Sequence, residues 1–324
     1  MNKKFKFLGT TLAASALLLA ACGGGDGGGE SSGEKTKDDF PFLSIVTGGT
    51  QGTYYPLGGT FANLVTEETG IQTTAEVSQA SAANMTALKN GDAEIAFVQT
   101  DVAFYATEGT FMFEGDAITD ISAIGALYPE TIQIVTLENT GITSVEDLRG
   151  KKVSVGAPGS GTYANAEQIL EIHGMTMDDV DAQALDFGES QESLQAGQID
   201  AAFITSGTPT GAVEALNAVA DVTIVPVEAD KAAELIEKYP YYAEDMVPSG
   251  TYGLTEDVPT VSVLAMLAVS NELPEDLVYE ITAAIYGNTD QITHAKGSQI
   301  SSETALDGIG IDIHPGAQRY FDEQ

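Results

Sequence analysis

From Phe42 onward, short apolar runs alternate with helix-length segments, and twice that rhythm is overrun by an apolar stretch much longer than a strand needs. The short runs include "LSIVTG", "IQTTAEVS", "AEIAFVQ", "KKVSVG", "AQALDF", "IDAAFIT" and "VTIVPVE". Between them lie "YYPLGGTFANLVTEETG", "SAANMTALKNG", "TYANAEQILEIHG", "SQESLQAGQ", "GAVEALNAV" and "DKAAELIEKY", which read as helices. Strand followed by helix, repeated, is the pattern of an α/β fold with mostly parallel strands. The two overlong runs are "ISAIGALYPETIQIVTL", Ile121 to Leu137, and "TVSVLAMLAVS", Thr260 to Ser270. The first is either two consecutive strands or one strand passing between two lobes. With a second such run, the economical architecture is two α/β lobes joined by two extended crossings, near 128–133 and 255–262. Lobe one then comprises 42–128 and 256–324, its last helices returning to it, and lobe two comprises 129–255. Smaller signals agree with this reading: Ser144 and Asp147 form a capping box before "KKVSVG", and Pro274 falls in the first turn of "LPEDLVYEITAAIYG".

Ahead of this body lies a different kind of sequence. Lys3, Lys4 and Lys6 precede the short apolar run "FLGTTLAASALLLAA", which is too short and too rich in small residues for a membrane span. It ends in Leu19-Ala20-Ala21-Cys22, the pattern of a bacterial lipobox. Residues 1–21 are therefore expected to be a lipoprotein signal peptide, with Cys22 acylated after cleavage. Residues 22–41, rich in glycine, serine and charge, read as a flexible tether. The expected location is extracytoplasmic, on the outer face of the cytoplasmic membrane, held by the N-terminal lipid alone. Cys22 is the only cysteine, so disulfides contribute nothing and stability rests on packing.

The chain carries 13 basic against 48 acidic residues, a formal net charge of −35. Such a surface repels nucleic acid and anionic headgroups, which excludes both as partners. Abundant cations would screen the self-repulsion, so adaptation to high salt or to alkaline surroundings is expected.

Three strand-to-helix corners share one chemistry. They are Gly48 to Pro56 ("GGTQGTYYP"), Gly156 to Tyr163 ("GAPGSGTY") and Thr205 to Pro209 ("TSGTP"). Each places a Gly-Thr pair where a helix should begin, with Thr53, Thr162 and Thr208 suited to the cap and Pro56 and Pro209 to the first turn. Unpaired N–H groups and the positive end of the helix dipole point out of such corners, and glycines let a ligand approach the backbone. In open α/β sheets these corners lie at the carboxyl ends of strands, where ligands bind.

Other chemistries do not fit. Gly52 is followed by Thr53, not by the Lys of a phosphate-binding P-loop, and no corner carries G-x-G-x-x-G. "APGSG" has Pro158 where a nucleophile elbow requires glycine, so a hydrolase built on Ser160 is disfavoured. His173, His294 and His314 stand in no triad order and are expected at the surface or near the terminus. No Cys/His/Asp grouping has metal-ligand spacing, and no cofactor or metal is expected. The body's two arginines, Arg149 and Arg319, sit at a helix end and in the tail, so an arginine fork for a carboxylate is not expected.

Taken with these residues, the chain resembles the TAXI family, the extracytoplasmic solute receptors of a subset of TRAP transporters. The resemblance rests on "TGGTQGTYYPLGG", "AEIAFVQTDVA", "ALYPE", "DLRGKKVSVGAPGSGT", "AAFITSGTP", "TYGLTEDVPTVSV", "LVYEIT" and "HPGAQRYF", which run in order across nearly the whole body. It implies a periplasmic-binding-protein-like, two-lobed Venus flytrap, type II-like, with two crossing strands. It implies no enzyme, but a receptor for a small anionic or zwitterionic solute, glutamate-like, delivered to a TRAP-type membrane permease. An ABC permease or a sensor kinase served by the same fold is the alternative. Carried over by motif, the ligand would meet Thr50, Gly52, Thr53, Tyr54 and Tyr55, then Gln99 and Tyr128, in lobe one. In lobe two it would meet Ser160, Gly161 and Thr162, with Ser206 and Gly207 completing the set.

Overall fold

The computed structural model describes residues 35–324. The signal segment, Cys22 and the tether up to residue 34 lie outside the described residues. Residues 35–41, read as the end of the tether, lie along the body. Lys35 pairs with Glu272 at 2.6 Å, Lys37 pairs with Glu280, and Phe40 packs on the adjacent core.

Among the described residues, ten strands form one continuous sheet in the order β2-β1-β3-β10-β4-β7-β5-β6, with β8 pairing β4 and β9 pairing β10. The first part of the chain supplies β1 (Phe42–Val46), α1 (Tyr54–Thr69), β2 (Gln72–Glu76), α2 (Ser81–Asn90), β3 (Ile95–Gln99) and α3 (Thr100–Glu108). The long run is a single strand, β4 (Ile121–Leu137). Then come β5 (Lys152–Ser154), α4 (Gly161–Ile172), β6 (Asp181–Gln183), α5 (Phe187–Gln195), β7 (Ala201–Ser206) and α6 (Gly211–Asn217). After these follow β8 (Val222–Val225), α7 (Ala229–Lys238), β9 (Ala243–Val247) and the second long strand, β10 (Val258–Ser270). Two helices, α8 (Glu275–Tyr286) and α9 (Pro315–Asp322), close the chain.

The expectation of mostly parallel strands holds only in the outer parts of the sheet. There β1 is parallel to β2 and β3, and β5 to β6 and β7. The centre is antiparallel: β10 runs against β3, β4 and β9, and β4 runs against β7 and β8. The cause is topological. The chain leaves one lobe along β4 and returns along β10, so the two crossings run in opposite directions and pair side by side. β9, "AEDMV", is mostly exposed and has no apolar run to announce it, which is why sequence periodicity misses it.

Strict alternation along the strands builds a core on each face of each lobe. In β3, Ile95 and Phe97 join the core under α1 and α8, while Ala96 and Val98 join the core under α2 and α3. In β7, Ala201 and Phe203 face the core with α4 and α7, while Ala202 and Ile204 face the one with α5 and α6. β4 serves both lobes, giving Ile124 to a lobe-one core and Ile132 and Ile134 to a lobe-two core. Strands buried on both faces read as continuous apolar runs, and the edge strands β2 and β6 are correspondingly polar.

Candidate functional site

The sheet order brings the three glycine-rich corners to one place. The ends of β1, β5 and β7 deliver the chain into α1, α4 and α6 at the groove between the lobes, and a cavity of about 50 Å³ lies where the first two corners meet.

The expected caps are rearranged. Thr53 stands at the N-cap of α1 with helical φ/ψ and no capping bond; its hydroxyl lies 3.0 Å from Ser206 Oγ in the opposite lobe. At the second corner the cap is Ser160, whose hydroxyl accepts from the Tyr163 N–H at 3.3 Å, and Thr162 lies inside α4. At the third, Thr210 is the N-cap of α6 rather than Thr208, and its hydroxyl donates to the Gly207 carbonyl at 2.8 Å. Thr208 and Pro209 precede the helix because α6 begins only at Gly211.

Eight of the twelve expected ligand residues line the cavity: Gly52, Thr53, Tyr54, Gln99, Ser160, Gly161, Thr162 and Ser206. Four do not. Thr50 is exposed at the tip of the turn closed by the Gly52 N–H on Gly49 O. Tyr55 follows Tyr54 on α1, and one step along a helix swings its side chain about 100° away from the cavity. Gly207 is covered by the Lys296 stem. Tyr128 is buried beside the crossing with its hydroxyl making no hydrogen bond, and burial raises it well above the usual phenol range.

Sequence reasoning missed several walls. Ser78 to Ser81 form a fourth corner, between β2 and α2, that carries no glycine and so gave no signal. Asp186 and Phe187 come from the start of α5, where Asp186 makes a capping box with Glu189. Most consequential is Glu130, a carboxyl in the middle of crossing strand β4, only 3% exposed. A charge inside an apolar run such as "ALYPETIQIV" was the available signal. Tyr54 OH donates to Glu130 Oε2 at 2.6 Å. Burial pushes the Glu130 carboxyl up to about 8, with Asp101 raising it further while the Tyr54 hydrogen bond and Lys296 pull it down.

Directly behind the cavity, Asn165 of α4 joins the lobes. Its Oδ1 accepts from Gln99 Nε2 at 3.0 Å and from Thr205 Oγ1 at 3.0 Å. Its Nδ2 donates to Asp101 Oδ2 at 3.1 Å and to Tyr242 OH at 2.8 Å. Asp101 is fully buried, which pushes its carboxyl up to about 7. Backbone contacts add to the joint: the Ala82 N–H donates to Gly159 O at 2.9 Å and the Ala212 N–H to Gln51 O at 3.1 Å. The approach at α4 is so close that a Cβ on Gly161 would overlap Gln99 Oε1. The structure thus holds the lobes closed on each other.

Neither arginine reaches this place. Arg149 pairs with Asp179 at the surface, and Arg319 pairs with Glu275 at 2.7 Å and Asp276 at 2.8 Å while lying over the Tyr279 ring. His173 ends α4, whereas His294 and His314 cap the turns that follow them. His314, near the C-terminus, is buried in that role. Among the described residues no histidine lines the cavity, and no group of three His, Cys, Asp or Glu is placed to hold a metal. Among the same residues, no helix is long and apolar enough to cross a membrane.

This architecture, two lobes on one sheet with a cleft at the crossings, is that of the periplasmic binding proteins. A protein of Bordetella bronchiseptica RB50 superposes with a TM-score of 0.57 at 17% identity, covering 88% of this chain and 98% of its own. A Listeria monocytogenes chain named for an L-cystine ABC transporter gives 0.50 at 14% identity, over 82% and 98%. PhnD1 of Prochlorococcus marinus, in complex with methylphosphonate, gives 0.51 at 12% identity, over 80% and 88%. At these identities the likeness is one of fold. The NMT1-like family description matches residues 45–324, and the chain belongs to the NMT1-like family.

Proposed function

We propose that this chain is an extracytoplasmic solute receptor of the TAXI kind, which captures a small carboxylate or amino acid, glutamate-like, and presents it to a TRAP-type membrane permease. One observation carries the reading: two lobes contribute strand-end corners, hydroxyls and helix N-termini to a single small cavity. Backbone N–H groups at the starts of α1 and α4 supply donors for a carboxylate in place of an arginine. Binding works by population shift. A ligand touching both lobes favours the closed form, which is the form the permease accepts. Acylated Cys22 would keep the receptor at the membrane, within reach of its permease.

Mass spectrometry of small molecules released from gently purified, then denatured, protein tests this directly. Calorimetry with glutamate, other amino acids and dicarboxylates follows, together with the Thr53→Ala, Ser160→Ala double variant. Release of no solute, or a double variant that binds the released solute unchanged, would end the assignment. An ABC permease is the second reading, favoured by the structural likeness to a chain named for an ABC transporter. Co-purification of the lipid-anchored receptor with its permease separates the two, since only the ABC partner brings an ATPase.

A further inference from the structure

The cavity holds more acceptors than a purely anionic solute needs. Glu130 reaches it from β4 with one carboxyl oxygen engaged by Tyr54. Gln99, 2% exposed at the end of β3, uses its amide nitrogen on Asn165, and its Oε1 makes no hydrogen bond. Among the described residues, no lysine or arginine lines the cavity. Lys296 packs over Gly207, outside the lining, where a Cβ would come within 2.9 Å of its Cε. A buried carboxyl facing a dicarboxylate, sulfonate or phosphonate must keep its proton, because once ionised its charge would repel the anion strongly out of water. The same carboxyl facing an ammonium group gains a charge-assisted hydrogen bond. The N-termini of α1 and α4, helices of 16 and 12 residues, open onto the same cavity and favour a carboxylate.

We propose that Glu130 and Gln99 Oε1 form an ammonium subsite, so that the solute is a zwitterion carrying a protonated amine and not a simple anion. This rests on reading the cleft as a solute receptor and narrows it to the amino-acid class. Binding then requires ionised Glu130, whose proton leaves to solvent as the ammonium arrives. Several groups face this carboxyl. Tyr54 of α1 and Tyr128 of β4 are both held far above neutrality by burial, and Asp101 comes from α3. Lys296 lies in the turn Ala295–Gln299, and Asp186 lines the same cavity from the start of α5. With Glu130 near 8 before binding, affinity for an amine-bearing solute rises as pH rises from 6 to 8, by up to about tenfold per unit. For a purely anionic solute the sign is reversed, since Glu130 must keep its proton.

The test is calorimetry on the purified full chain with L-amino acids against their des-amino counterparts, L-glutamate against glutarate and L-alanine against propionate. Runs at pH 6, 7 and 8 in two buffers of different ionisation heat read the proton. The expected result is a preference of more than about 30-fold for an amino acid over its counterpart, the scale on which a buried charge pair loses one partner. Affinity rises with pH and a proton is released. Glu130→Gln lowers amino-acid affinity by more than about 30-fold and spares or improves that of the des-amino acid. The pH and buffer readings on the unaltered chain stand even where that variant folds poorly. Equal binding of the two members of a pair, or an affinity that falls with pH, overturns the ammonium subsite and leaves the receptor standing. Binding by no member of either series overturns the amino-acid reading of the cleft and the subsite with it.

Discussion

Thr53 and Ser160 stand before the two helices that open onto the cleft, in corners written with nearly the same residues, and their hydroxyls go to different places. Ser160 turns inward and caps its own helix through the Tyr163 N–H. Thr53 leaves α1 uncapped and reaches across to Ser206. The lobe-two corner is thus finished locally and stays the same whether the lobes are apart or together. The lobe-one corner is completed only by its counterpart. The same division runs deeper: lobe one supplies the buried acid Asp101, and lobe two supplies Asn165, which binds it. One side is a rigid cap and the other a half-made latch, and each consequence can be checked by removing one member.

The largest effect is expected at Asn165, because four hydrogen bonds from both lobes converge on its amide. Asn165→Ala should cost about 3 kcal/mol of stability in urea unfolding, since it strands several buried polar groups at once. A loss below about 1 kcal/mol would mean that the lobes are not joined through this residue. Gly161→Val comes next. Its side chain enters space held by Gln99, which is pinned through Asn165, so closing of the lobes over a solute should be hindered while each lobe folds normally. Overpacking of this size costs about 1–3 kcal/mol, roughly a 5- to 150-fold loss of affinity by calorimetry. Unchanged affinity would show that the functional closed form keeps these lobes further apart.

The third effect is a change of pH profile. Asp101 in the folded protein titrates near 7 against 3.8 for the ordinary group. Between those values the folded protein holds a proton that the unfolded chain has lost, so stability falls as pH rises through the window and levels off above it. Asp101→Asn, which mimics the protonated form, should flatten the fall between pH 5 and 7 by up to about 1.4 kcal/mol per unit. Chemical unfolding across that range reads it, and a variant as steep as the parent would place the titration elsewhere.

Legibility in the sequence followed locality. The run Ile121–Leu137 stood out because it exceeds any ordinary strand, though only the fold decided between one strand and two, and the corners were plain because glycine marks a turn wherever it stands. Fine placement was not. Whether Thr53 caps its helix depends on Ser206, which lies 153 residues away, and no window along the chain contains both. Tyr54 and Tyr55 look equivalent as letters, and only the helical phase of α1 decides that the first meets the cavity. Asp101 looks like one more acid in a chain with 48 of them, and Glu130 is set apart only by the apolar run around it. Burial makes them different, and burial belongs to the assembled lobes.

The smallest effects separate cap from latch most sharply. Ser160→Ala removes a helix cap that is present in every form of the protein, so it should lower stability by about 1 kcal/mol. It should leave the ratio of open to closed forms near its starting value, since the capping bond does not cross the cleft. Thr53→Ala removes no capping bond, so the separated lobes lose almost nothing. What it removes is a hydroxyl contact made only on closure, worth about 1 kcal/mol, or roughly a fivefold loss of affinity. Unfolding and calorimetry on both variants should therefore rank them in opposite orders. If Thr53→Ala proves the less stable and Ser160→Ala the weaker binder, the assignment of cap and latch is reversed.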